Sequence, residues 1–398
     1  MINFSHDEDD LRLRDEALQF VKTEIIPFEK DPRYSDHGPD ESLRVELNER
    51  ARRAHWLAPQ VSPEFGGRGL SHIQRALVFE ASGYSILGPI AMHCAAPDEG
   101  NMHLLEVVAS PAQRKDYLAP LAQAHWRSCF AMTEPPPGAG SDPGQLNTQA
   151  RRDGDHYIIE GRKWLITGAE QAGMAILMAR AFDGSRELGP TMFLTHLPQA
   201  GVRIVRLIDS MDSSFSGGHA ELALEGLRVH QSQILGEVGQ GLKYAQVRLA
   251  PARLTHCMRW LGSAVRAQEI ALTYANTRTA FGQRLLEHGS LAQMLARNEI
   301  DIHACRQLIL HTAWLLDQGK SARHESSMVK AFVSETLFQV ADRCLQLLGG
   351  LGVTRDTQVE RIFREIRAFR IYDGPTEVHH WAIARRLQSQ HATHGSAA

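Results

Sequence analysis

The sequence predicts a mainly α-helical protein with a central β domain, on three observations. Apolar residues recur at steps of three and four from about residue 6 to 125, the pattern turns strand-like between about 127 and 240, and helical spacing returns from about 241 in long segments. These shifts divide the chain into an all-helical N-terminal domain (1–126), a middle β domain (127–240), a C-terminal four-helix bundle (241–388) and a flexible tail (389–398). The β domain is expected to form one compact barrel or sandwich. It shows no alternation of strand and helix, which argues against a Rossmann dinucleotide site.

The N-terminal domain opens on Leu11, Leu13, Ala17, Phe20, Val21 and Ile25, a helical stripe. PEFGGRGLS (63–71) interrupts the helices; no GKS or GKT follows it, so Gly66, Gly67 and Gly69 suit a tight turn better than a phosphate loop. APDEGNMHLL (96–105) breaks another helical run and gathers Asp98, Asn101 and His103, which suit a pocket or the surface equally. In the middle domain, HYIIEGRKWLITGA, VRIVRL and HAELALEGLRV read as strands, with an Asp-Gly turn in RRDGDHY. The bundle segments follow, and Pro251 is expected to kink or start the first.

The charge balance, 43 Lys and Arg against 46 Asp and Glu, gives a formal net charge of -3 and no electrostatic case for a nucleic-acid or anionic-membrane partner. The five cysteines have no paired spacing, the N-terminus lacks a signal-peptide pattern, and no apolar run reaches membrane-spanning length. A cytoplasmic protein is expected.

The chain is organised around RIFREIRAFRIYDGPTEVHHWAIARR (361–386). A helical run ends at Asp373-Gly374-Pro375 and a second starts at Thr376, because Pro375 has no N–H and restricts Gly374. This leaves one carboxylate, Asp373, at a helix-to-helix joint flanked by apolar side chains: a helix cap or a base. Arg278 in YANTRTAFG and Gln346 before Gly349-Gly350 in CLQLLGGLG stand near helix ends and read as helix termini or anion contacts. AMTEPPPGAGSD places Thr133, Glu134, Ser141 and Asp142 on a glycine-rich loop that could help seat a cofactor between β domain and bundle. Cys94, His93 and Asp98 lack further ligands at metal-site spacing, and no GxSxG nominates a serine nucleophile, so no metal is expected.

Taken together, MTEPPPGAGSD, GRKWLITGA, YANTRTAFG, QLLGGLG and IYDGPTEV resemble the acyl-CoA dehydrogenase family in order and approximate spacing, over essentially the whole chain. APDEGNM and AFRIYDGPTEVH resemble the branch that includes dehydrogenase domains of long-chain animal members fused to kinase-like domains. The resemblance implies a homotetrameric flavoprotein with non-covalent FAD, an acyl-CoA substrate and an electron-transfer flavoprotein as partner. By matching motifs it implies Asp373 as the base, Arg253 near the substrate, and Ser141 shared between flavin and CoA. It further implies Thr133 and Thr167 against the isoalloxazine, and Arg278, Phe281, Gln346 and Gly350 against the FAD of a neighbouring subunit. The implied reaction is α,β-dehydrogenation of a medium-to-long or substituted acyl-CoA to the trans-2-enoyl-CoA.

The chain departs from the family pattern in places. The loop between Pro135 and Ser141 is two residues longer than in short-loop members, Leu165 stands where many have an indole, and Pro375 and Glu377 replace Thr and Gln. Asp373 replaces the usual Glu, which shortens its reach by one methylene, about 1.5 Å, where a misplacement of about 1 Å can cost a hundredfold. An Asp base also suits a flavin oxidase of another carbon acid, as in nitroalkane oxidases, and a scaffold that retains the fold without turnover is the non-enzyme alternative. The small residues Gly83, Gly88, Ala91, Ala95 and Ala96 suit either a deep acyl pocket or close helix packing.

Overall fold

The computed structural model describes residues 7–35, 37–212 and 214–395. The chain packs as two compact units: one takes residues up to 27, 71–89 and 253 onward, the other takes 28–70 and 90–252. The predicted N-terminal helical region is therefore split between them.

In the first unit, α1 (Glu8–Phe20) packs on α2 (His72–Gly83), and α2 packs on a bundle helix. The bundle is built from α4 (Gly241–Thr277), α5 (Gly289–Asp317), α6 (Arg323–Leu348), α7 (Val359–Phe369) and α8 (Thr376–Gly395). Residues from Arg253 onward bring α4 into this unit, and α6 touches α5, α7 and α8. Pro251 lies inside α4 and neither starts nor ends it. The α2–α4 crossing is close because it is glycine on glycine. A Cβ on Gly83 would stand 1.8 Å from the Arg259 carbonyl oxygen, and one on Gly262 would stand 1.9 Å from that of Glu80. Gly88 likewise abuts the Ser82 carbonyl, at 2.0 Å, so both glycines serve backbone packing, the second of the two roles open to them. Ser263 Oγ donates to the Gly83 carbonyl at 2.7 Å, and Arg306 forks onto Glu80 at 2.6–3.1 Å. The helix of α8 runs to Gly395, through most of the expected tail, and residues 396–398 lie outside those described.

The second unit holds α3 (Asp98–Val108) and a seven-stranded sheet: β1 (Arg127–Ala131), β2 (Gln149–Asp153), β3 (His156–Thr167), β4 (Ala172–Asp183), β5 (Arg186–His196), β6 (Val202–Ile208) and β7 (His219–His230). One edge of β4 pairs in parallel with β1 and then with β2, and its other edge pairs with β5. The order continues through β3 and β7 to β6, so the sheet ends on β5 and β6 and is a sandwich, not a closed barrel. Inward residues of six strands, among them Ile159, Leu177, Phe193 and Leu222, share one interior. Alternate residues of β4 and β5 (Met174, Ile176, Met192, Leu194) pack on helical residues Met102, Leu105 and Leu118, which is why β4 is buried on both faces.

Gly67 sits in a tight turn, where a Cβ would fall 2.0 Å from the Val61 carbonyl oxygen. Asp98 and Asn101 are buried and fully engaged with neighbouring side chains and backbone. Asp98 accepts from the Ser128 N–H (2.7 Å) and hydroxyl (2.6 Å), while Asn101 donates to that hydroxyl (2.9 Å) and accepts from Arg248 Nε (2.7 Å), so this buried network ties α3 to β1. Among the described residues no helix is long and apolar enough to cross a membrane.

Candidate active site

The stripe Val359, Ile362, Ile366 and Phe369 buries α7, and the helix then stops because Asp373 (φ 54°) and Gly374 (φ 99°) are left-handed. The joint is tied at both ends. Glu335 of α6 accepts from Arg370 Nε (2.8 Å) and from Thr376 Oγ1 (2.6 Å), the first residue of α8. Burial alone would raise the Glu335 carboxyl; hydrogen bonds from Thr376 and Arg370 instead hold it below the usual carboxylate range. Lys330, also on α6 and buried, donates to the carbonyls of Phe369 and Gly374, each at 2.8 Å, and burial pushes its amine down to about 8. Lys330→Met should therefore cost about 3 kcal/mol, since two carbonyls lose their donor. A chemical-denaturation midpoint reads this cost, and an unchanged midpoint would remove Lys330 from the joint's support.

The surroundings of Asp373 are cationic and aromatic, where apolar neighbours were expected. His256 Nε2 stands 3.2 Å from Asp373 Oδ2, Arg253 Nε donates to the Asp373 carbonyl at 3.0 Å, and His379 Nε2 lies 3.3 Å from the same carbonyl. The His256 ring packs 4.9 Å from Tyr372 and 5.7 Å from Phe369, and Trp260 Nε1 donates to the Tyr372 hydroxyl at 2.7 Å. Burial lowers the Arg253 pKa, with the Asp373 charge opposing. Burial, then the Arg253 and Lys330 charges, push His379 down to about 4, so its ring is neutral at pH 7. Sequence reasoning missed His256. The available signal was its place three residues after Arg253, on the same face of α4.

In the β domain, Thr133 Oγ1 donates to the Trp164 carbonyl at 2.7 Å, and the Trp164 N–H returns to the Thr133 carbonyl at 3.1 Å. The β3–β7 register shifts between Lys163 and Ile166. At this bulge Leu165 takes φ 54° and is 44% exposed, an unfavourable position for a large apolar residue in both backbone and solvation. Thr167 is half-buried at the end of the same strand. Glu134 proves structural rather than a seat for a ligand. It is buried and accepts from Lys163 Nζ (2.9 Å), the Asn147 N–H (2.7 Å), and the Thr148 N–H (2.9 Å) and hydroxyl (2.5 Å). Both ends of the 134–148 loop are thereby fixed, while Ser141 and Asp142 between them are exposed.

Arg278 follows α4, and Phe281 lies at the tip of a two-residue-strand hairpin, Thr279–Ala280 with Gln283–Arg284, at φ 53° and 98% exposed. Arg278 is exposed and its side chain has no ion pair among the described residues. Gln346 and Gly350, at the end of α6, are exposed too, and nothing lies within 4 Å of where a Gly350 Cβ would be. At about 1.5 Å of rise per residue, the end of α4 at Thr277 is roughly 30 Å from His256. Within one protomer Arg278 and Phe281 are therefore not brought to Asp373. Leu165, Phe281 and Asp373, three non-glycine residues with left-handed backbones, all fall in motifs that the sequence singles out.

Three family models match the chain: acyl-CoA dehydrogenase N-terminal domain over residues 7–125, middle domain over 129–225 and C-terminal domain over 239–388. "Probable acyl-CoA dehydrogenase FadE2" of Mycobacterium tuberculosis is 39% identical over 80% of this chain and 79% of its own length. Acyl-CoA dehydrogenase family member 11 of Gallus gallus is 35% identical over 92% of this chain, which spans about half (49%) of that relative. A solved acyl-CoA dehydrogenase-type structure from Mycobacterium abscessus superposes with a TM-score of 0.89 at 30% identity, over 98% of this chain and 100% of the other. A chain in the work on the electron transferring flavoprotein of Acidaminococcus fermentans gives 0.86 at 27% identity, over 97% and 99%.

Proposed function

The chain belongs to the acyl-CoA dehydrogenase family of FAD-dependent oxidoreductases, and we propose that it converts a saturated acyl-CoA to the trans-2-enoyl-CoA with Asp373 as general base. The observation that carries this reading is the helix break at Asp373, held by Lys330 and Glu335 and fronted by Arg253 and His256. The residues present fit FAD. Thr133 has committed its proton to Trp164, so its lone pairs are available to a ring edge. The exposed, strained Leu165 offers an apolar face, and Arg278 offers a cation for a pyrophosphate. When bound, FAD supplies the acceptor for the hydride from the β carbon.

The chain's own residues do the rest. An α proton of a thioester leaves only when a base stands over it and donors meet the carbonyl oxygen as charge develops there. In this reading the Asp373 carboxylate takes the proton and its backbone N–H is the protein's donor to that oxygen. Arg253 and His379, on the Asp373 carbonyl, hold the peptide in the conformation that aims both groups. His256 limits the carboxylate's motion from the side, which matters more for Asp than for a longer Glu. Ser141 and Arg253 are assigned to the CoA side, and Thr133 and Thr167 to the isoalloxazine. The acyl group is medium-to-long or substituted, and an electron-transfer flavoprotein takes the electrons.

Arg278, Phe281, Gln346 and Gly350 are assigned to the FAD of a neighbouring subunit in a homotetramer. Their exposure and the roughly 30 Å between Thr277 and His256 support this. Arg278→Ala should then lose FAD and assembly together, read as flavin absorbance per chain and as mass in solution. Full FAD in a monomeric variant would break the assignment.

The reaction is tested by anaerobic bleaching of the flavin absorbance against saturated acyl-CoAs from four carbons to above sixteen, branched and hydroxylated chains included. Bleaching by one class with recovery of the matching enoyl-CoA is the expected result. No bleaching of FAD-loaded protein by any of them would reject it, and rapid reoxidation of reduced protein by dioxygen would favour an oxidase.

A further inference from the structure

Thr167 and His219 are cross-strand partners at the end of the β3–β7 ladder, and the backbone continues the pairing with the Gly168 N–H on the Gly218 carbonyl at 2.8 Å. Behind them stands a second carboxylate–imidazole pair, unrelated to Asp373. His219 Nε2 lies 3.0 and 3.1 Å from the two Asp212 oxygens, and His219 Nδ1 lies 3.0 Å from Thr167 Oγ1. Asp212 is also met by the Ser210 hydroxyl at 2.7 Å, and the Phe215 ring packs 5.5 Å from the imidazole. Burial works against the Asp212 carboxyl, but the hydrogen bonds from His219 and Ser210 hold it below the usual carboxylate range, so it is an acceptor.

A neutral imidazole has one N–H and one bare nitrogen, and the stronger acceptor takes the N–H. With the Asp212 carboxylate on Nε2, the proton sits there and Nδ1 is bare. Thr167 must then donate to Nδ1, and its outward side presents only oxygen lone pairs. We propose that the Asp212–His219 pair is a positioning device that makes the Thr167 hydroxyl an acceptor toward its ligand. The chemistry it recognises is an N–H on a planar ring edge, against a bare ring nitrogen or a carbonyl.

This inference rests on the assignment of Thr167 to the isoalloxazine. Reduction adds an N–H to that ring, so an acceptor-only hydroxyl binds the reduced ring more tightly than the oxidised one and raises its two-electron potential. In the geometry at hand, a sequence change 45 residues downstream of Thr167 (Asp212) tunes the cofactor without touching it. His219→Phe frees the Thr167 proton to turn outward. Asp212→Asn can place an amide N–H on Nε2, which drives the ring proton to Nδ1 and gives the same outward hydroxyl proton.

The test has two arms, both read at pH 8. Nitrogen-15 NMR of the flavin-free protein should show His219 with Nε2 protonated and Nδ1 bare. A protonated Nδ1 overturns the proposal whether or not the protein takes FAD. Spectroelectrochemistry of the FAD-loaded protein should show the equilibrium constant for reduction falling about tenfold, about 30 mV for two electrons, in His219→Phe and in Asp212→Asn. Adding Asp212→Asn to His219→Phe should lower it no further. Unchanged potentials in both flavin-loaded single variants overturn the proposal. Protein that takes up no FAD would instead count against the proposed function, and the NMR arm would still decide the polarity of the hydroxyl.

Discussion

Asp373→Asn should keep the fold and its FAD and lose at least ~10²-fold in turnover, the contribution of a general base. Asn is the informative replacement because it matches the shape of Asp and, like Asp, tolerates a left-handed backbone, which Asp373 adopts at φ 54°. The Arg253 and His379 contacts are to the backbone carbonyl and survive the change. The change removes the carboxylate's charge, and with it the ability to take a proton. Anaerobic stopped-flow bleaching with a substrate found in the acyl-CoA panel measures the step itself. Turnover near wild type would return Asp373 to a purely structural role at the joint.

Glu134→Leu should destabilise the protein by about 3–5 kcal/mol, because it strands the fully buried Lys163 ammonium and removes the acceptor for the loop N–H groups of Asn147 and Thr148. The pH dependence has a definite sign. Burial already pushes Lys163 down to about 8 from 10.5, with Glu134 opposing that fall. Without Glu134 the folded-state value drops further, so the unfolded variant binds more protons than the folded one below pH 8 as well as above it. The variant therefore already gains stability as pH rises toward 8, while the Lys163 contribution to the wild type begins to grow only above about 8. The gap in urea midpoint should narrow as pH rises to 8 and then hold. A constant gap, or one under about 1 kcal/mol, would mean the Lys163 charge is not what the carboxylate offsets.

The legible parts of the sequence were those set by local chemistry. The break before Thr376 and the change from helical to strand periodicity follow from backbone restriction and side-chain spacing and are both present, although the first helix ends at Phe369, before Asp373. Closure of the β domain depends on which strand edges find partners, which spacing does not encode, so barrel and sandwich were equally open. Glu134 resembled a ligand because a polar residue beside glycines has the same appearance whether it faces a cofactor or a buried lysine. Gly83 was ambiguous for a similar reason, and the Arg259 carbonyl against it decides for packing. His256 was missed because its significance is tertiary: α4 and the α7–α8 joint meet only in the folded unit.

The central claim is that Asp373 takes the proton from the α carbon. The most direct measurement is the anaerobic bleaching rate of the flavin with a substrate bearing deuterium at that carbon, against the unlabelled compound. Proton removal by Asp373 makes the wild-type rate slower with deuterium, and makes bleaching in Asp373→Asn at least ~10²-fold slower for either substrate. Equal rates for the two substrates, with Asp373→Asn bleaching as fast as wild type, would contradict it.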